Sequence, residues 1–151
     1  MVEAPLVYLG GLAELARINI ETADLRVLLV QPSYWPLAAH TVVDDETAAS
    51  PRAHELTVDG YARQPLAGRR LIEDAAMGGV YLDAPDLAFG ELEPGERIGG
   101  AVLFREAGSD RLSPLLAFYA LGRQGTTGGP IVVEWAPSEQ GRVLRFMLLP
   151  V

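Results

Sequence analysis

Ile98-Gly99-Gly100-Ala101-Val102-Leu103-Phe104-Arg105-Glu106-Ala107-Gly108-Ser109-Asp110-Arg111-Leu112-Ser113-Pro114-Leu115-Leu116-Ala117-Phe118, followed by Gly128-Gly129-Pro130-Ile131-Val132-Val133-Glu134-Trp135 and Val143-Leu144-Arg145-Phe146-Met147-Leu148, decides the fold. It reads as four apolar strands separated by turns of Gly, Ser, Asp and Pro. Ala101 to Arg105 and Leu115 to Leu121 are apolar on both faces, the pattern of central strands covered from two sides. Ile131, Val133 and Trp135 alternate with Glu134, and Leu144, Phe146 and Leu148 with Arg145, so these strands bury one face.

Outward from this stretch, Pro5 to Leu9 reads as a short strand and Gly10 to Ile18 as the one helix. Leu12, Leu15 and Ala16 share a face expected to pack inward, with Glu14 and Arg17 opposite. Leu25 to Val30 is a strand with one strongly buried face. From Gln31 to Tyr61 the periodicity fades among Pro32, Pro36 and Pro51, with room for a short helix near Ala38 to Asp44. A loop of that length in a compact domain is functional, an interaction surface, or disordered. Ala62 to Leu66 and Arg69 to Glu73 read as a strand pair around Gly68, Pro65 restricting the first to a sheet edge. Val80 to Asp83 and Leu87 to Phe89 are further short strands. About eight strands with regular turns imply a mainly β fold, an antiparallel two-sheet β-sandwich of jelly-roll or immunoglobulin-like kind with one short N-terminal helix.

The length, 151 residues, is that of one domain able to bury roughly 70% of its unfolded surface, so residues 1–151 are expected to form a single domain. A net charge of −8 lacks the cationic stripe that phosphates require, which argues against direct nucleic-acid binding. The chain has no cysteine, hence no disulfide and no thiolate zinc site. All 12 basic residues are arginine and Asn19 is the single asparagine, consistent with GC-rich coding or with arginine-built ion pairs at an interface. No apolar run reaches the roughly 18 residues of a membrane span, and the start lacks a basic leader, so a soluble cytoplasmic product is expected.

Candidate chemistry is sparse. Without lysine there is no phosphate-binding P-loop, and the Gly-Gly pairs at Gly10, Gly78, Gly99 and Gly128 read as turns. His40 and His54 could meet, but zinc wants further ligands beside them. Asp44-Asp45-Glu46 and the pair Asp83 and Asp86 read as solvated turns without calcium-loop spacing. Ser33, Ser50, Ser109, Ser113 and Ser138 lack a nucleophile elbow, while two carboxylates pairing across the fold stay open. No catalytic residue, metal or cofactor is assigned. Apolar groups remain at Tyr34-Trp35-Pro36 and at Leu148-Leu149-Pro150-Val151, each either a lid on the core or a subunit contact. Tyr34, Trp35, Pro36, Leu148, Leu149 and Val151 are the candidate interface residues, and the loop at about 31–61 the candidate interaction loop.

The order of elements is similar to that of a family of small tailed-bacteriophage virion structural proteins. The likeness is carried by Tyr8 with Gly11-Leu12, Asn19-Ile20, Leu25 to Leu29, Pro32-Ser33-Tyr34-Trp35-Pro36, and Gly60-Tyr61-Ala62-Arg63-Gln64-Pro65-Leu66. Ala101 to Arg105, Ser113 to Ala117, and Gly128-Gly129 before Ile131 to Trp135 extend it over most of the chain. The resemblance implies binding and assembly without catalysis, as a head decoration protein that stabilises a capsid lattice. The partners would be the major capsid protein or other virion proteins and, as a homo-oligomer, copies of the chain itself, a trimer being favoured; no nucleic acid or membrane is expected. A tail, baseplate or fibre-base component is the alternative within that class. From a different class, a carbohydrate-binding or cell-surface recognition module would use Tyr34, Trp35, Tyr61 or Trp135 as stacking platforms.

Overall fold

Leucine, valine and phenylalanine on both sides of three consecutive strands demand cover on both sides, and the fold supplies it. The computed structural model describes residues 5–76, 78–135 and 143–147. Its elements are β1 (Leu6–Val7), α1 (Leu9–Arg17), β2 (Leu25–Val30), β3 (Gln64–Pro65), β4 (Arg70–Asp74), β5 (Gly79–Asp83), β6 (Leu87–Glu91), β7 (Arg97–Arg105), β8 (Leu115–Gly125), β9 (Pro130–Val133) and β10 (Leu144–Met147). The protein is mainly β with one α-helix, and its described strands pair antiparallel throughout. They form a five-stranded sheet in the order β1-β8-β7-β2-β3, a three-stranded sheet β10-β5-β4, and a two-stranded sheet β6-β9.

The strands read as central are central: β7 lies between β2 and β8, with Val27 opposite Leu103 and Leu103 opposite Ala117. Their two faces serve two cores. Leu25, Val27, Leu29, Ala101, Leu103, Ala117 and Tyr119 face the larger core, which Leu82 and Leu144 of the three-stranded sheet and Phe89, Ile131 and Val133 of the two-stranded sheet complete. Leu28, Val30, Val102, Phe104 and Leu115 face a smaller core closed by Tyr8, Tyr34 and Val43. The expectation of one buried face for β2 is thus corrected: both are covered, because the 31–43 segment folds back over the second.

The helix is also turned over from its expected orientation. Gly11 and Glu14 face the sheet, whereas Leu12 is exposed. A Cβ on Gly11 would sit 2.6 Å from the Leu116 carbonyl oxygen, so α1 approaches β8 more closely than any side chain permits. Glu14 bonds Arg105 of β7, bringing a charge-assisted pair to that face.

Two further expectations are corrected. The stretch 38–44 is not helical; it holds a turn and an isolated bridge from Val42 to Pro114, and the short helix of the long loop is a 3-10 turn at Pro51–His54, started by Pro51. Arg70–Asp74 pairs with Gly79–Asp83 across a tight hairpin rather than with residues 62–66. The Gln64–Pro65 strand instead lies on the outer side of β2, where proline costs no ladder bond.

Candidate functional site

The loop that sequence singles out is bolted to the fold at several points. Tyr34 turns inward and is only 4% exposed, its ring lying 5.7 Å edge-on from Phe118. Its hydroxyl shares a 2.8 Å hydrogen bond with Tyr8 and lies 3.0 Å from His40 Nδ1. Burial pushes the Tyr34 pKa up to about 12, the bond to Tyr8 pulling the other way. Further along, Val43 N–H donates to the Ser113 carbonyl at 3.1 Å and Arg52 N–H to the Val43 carbonyl at 3.0 Å. The two ends of the loop meet where Gln31 N–H donates to His54 O at 2.8 Å.

The next residue points the other way. Trp35 is 77% exposed and Pro36 half-buried, so the candidate pair is split: Trp35 presents a face to solvent, and Tyr34 is a core residue in this chain. Leu148, Leu149 and Val151 lie outside the described residues. Of the other aromatic candidates, Trp135 is buried edge-on to Tyr119 at 5.1 Å, its Nε1–H donating to the Pro85 carbonyl at 3.1 Å. Tyr61 is half-buried and stacked on Phe89 at 6.1 Å.

Behind the loop lies a polar cluster that sequence reasoning missed. Arg63 places Nε and Nη2 on the two oxygens of Glu55 at 2.7 and 2.8 Å. Nη1 and Nη2 also reach both oxygens of Asp110 at 2.6 and 2.9 Å. Arg52 adds a 3.1 Å bond to Glu55, and the Arg63 guanidinium stacks 5.3 Å from the Phe104 ring centroid. Burial opposes charge on Arg63, but the two carboxylates outweigh it and raise its pKa; the same guanidinium lowers that of Asp110 against a smaller burial effect. These groups line a cavity of about 420 Å³. Its charges are mutually satisfied, so chemically it is a clamp between the 52–63 and 106–114 segments. The available signal was Arg63 within Gly60-Tyr61-Ala62-Arg63, but its partner Asp110 is 47 residues away.

A second clamp is Glu96. One carboxylate oxygen accepts the N–H groups of Thr57 and Val58, both at 2.6 Å, and the other the side chain of Gln31. His54 Nε2–H donates to the Ala48 carbonyl at 2.7 Å, which leaves Nδ1 to accept the Ser33 hydroxyl at 2.7 Å. That is nucleophile-to-base spacing, with a main-chain carbonyl holding the ring. Here it braces the loop, and neither residue lines the cavity.

The two histidines flank Tyr34 at 5.8 and 5.9 Å and do not bond each other in this arrangement. No cluster of three or more His, Cys, Asp or Glu suited to a metal occurs among the described residues. Asp44 and Asp45 close their own turns on the N–H groups of Glu46 and Thr47. Asp86 accepts the Trp135 N–H at 3.1 Å. No described helix is long and apolar enough to cross a membrane. Compared with protein-family models, with curated proteins and with solved structures, the chain gives no match.

Proposed function

We propose that the protein is a bacteriophage virion structural protein, a head decoration protein that binds the major capsid protein and stabilises the lattice without catalysis. The observation that carries the binding part is Trp35, an indole 77% exposed on a loop whose flanking residues are held by the core and by hydrogen bonds. A rigidly presented aromatic loses little freedom on docking and suits an interface anchor. The virion setting rests on the resemblance described above. The finer architecture belongs to the same proposal: the five-stranded sheet forms one layer of a sandwich, and the two smaller sheets together form the other across the larger core.

A tail, baseplate or fibre-base position draws on the same resemblance. A glycan-binding module is the reading from another class, and Trp35 favours it too, because an exposed indole face is what a sugar ring stacks on. The experiment is Trp35→Ala. Its unfolding free energy should stay within about 1 kcal/mol of the parent, since the ring leaves no core cavity. Its attachment to heads lacking the parent protein should weaken by about 2 kcal/mol, roughly thirtyfold. Full occupancy by the variant would remove Trp35 from the contact, and loss of glycan binding with unchanged head occupancy would favour the recognition module.

A further inference from the structure

Helix α1 points its leucines away from the core. Because Gly11 and Glu14 take the sheet-facing positions, Leu9 and Leu12 stand 64% and 54% exposed, one turn apart on a single stripe. The Leu9 N–H donates to the Ala38 carbonyl at 2.9 Å, which brings the backbone next to Leu37, itself 49% exposed, to the same end of the helix. Grouped apolar side chains in solvent mark an interaction surface rather than a scatter of single residues.

The ends of this stripe carry opposite charge. At the C-terminal end Arg17 has a side chain 73% exposed; its nearest carboxylate, Glu14, is 3.9 Å away and already engaged by Arg105. At the other end, Asp45 lies within electrostatic reach of His40, whose ring stacks 6.5 Å from that of Tyr8, the residue that begins the helix. With nine residues the helix is roughly 14 Å long, so an arginine side chain at one end spans much of the way to the far end of a facing helix.

We propose that this stripe is a twofold self-association surface: a second copy, laid antiparallel, sets leucine on leucine and Arg17 of each copy beside Asp45 of the other. A twofold contact requires a patch complementary to itself when rotated, and acid, leucine and base in a row meet that condition. A merely basic partner would match one end and repel the other. This inference stands apart from the virion reading and from Trp35.

The test is the mass of the full chain by sedimentation equilibrium, over a range of concentrations. The parent is expected to dimerise, and Leu12→Glu to be monomeric with an unchanged thermal midpoint. Arg17→Asp and Asp45→Arg should each weaken association at least tenfold, while the double exchange Arg17→Asp with Asp45→Arg restores it to within about threefold of the parent, since only the double variant re-pairs the charges. A parent monomeric throughout, a trimer's mass, a mass indifferent to Leu12→Glu, or a double variant no better than the single ones would overturn the proposal.

Discussion

The hydroxyl of Tyr61 accepts the N–H of Leu29 at 3.0 Å, so a side chain stands where a neighbouring strand would supply a carbonyl. The same hydroxyl donates to Glu55 at 2.7 Å, tying the edge of β2 to the arginine clamp. Beside it, Leu56 N–H donates to Leu29 O and Leu66 N–H to Leu25 O, so the 54–66 segment covers this edge although only Gln64 and Pro65 are strand. Tyr61→Phe keeps the ring on Phe89 but leaves the Leu29 N–H without its acceptor in a fully buried position. The expected cost is about 2 kcal/mol in denaturant unfolding, the scale of an unsatisfied buried donor; a change under about 0.5 kcal/mol would show that the bond contributes nothing net.

Two neighbouring glycines should respond with opposite sign. Gly10 has nothing within 4 Å of an added Cβ, so Gly10→Ala should stabilise by up to about 1 kcal/mol through helix propensity. Gly11→Ala gains the same propensity but drives its methyl into the Leu115 and Leu116 carbonyls, at 2.7 and 2.6 Å. Forced repacking of that kind costs about 1–3 kcal/mol, and the net should be destabilising. Thermal unfolding of the two variants side by side decides it, and equal shifts would mean that α1 does not press on β8.

Acid should act through Asp110. Its carboxyl is held below the usual carboxylate range by the Arg63 N–H donors, burial opposing. A carboxyl with a depressed folded value stabilises the fold fully above its unfolded pKa of about 4, and that contribution is lost as pH falls through the lower folded value. Stability measured between pH 5 and 2 should therefore fall less steeply in Asp110→Asn than in the parent. Parallel curves would show that Asp110 binds its proton equally in both states.

Sequence located what depends on nearby residues and missed what depends on distant ones. The apolar runs of β7 and β8 are dense enough to announce central strands, and Pro65 announced an edge, because these are local properties of the chain. The helix was located but its inward face was misread. Apolar periodicity counts side chains, and the residue nearest the sheet is Gly11, which has none. The β4 pairing failed because two candidate partners lie at similar chain distance, and alternation cannot choose between them. Of the candidate site, the loop and Trp35 were visible as a break in pattern. The inward turn of Tyr34 and the Glu55, Arg63 and Asp110 clamp were not, since both require knowing which remote segment lies alongside.

The smaller core has a consequence for how this surface can change over time. Tyr8, Tyr34 and Val43 come from three separate stretches and close together over Leu28, Val102 and Phe104, so the 31–43 segment is a wall of the fold and its length is fixed by what it covers. Adding or deleting a residue there would shift Tyr34 or Val43 off the sheet and open that core to water. Exposed positions such as 35 and 37 can be exchanged freely by comparison. A lineage carrying this domain would therefore alter its recognition by swapping single side chains on a fixed frame, and length variation would be confined to connections that no core residue spans, such as the turn at Pro94 and Gly95, where a Cβ on Gly95 would meet nothing within 4 Å.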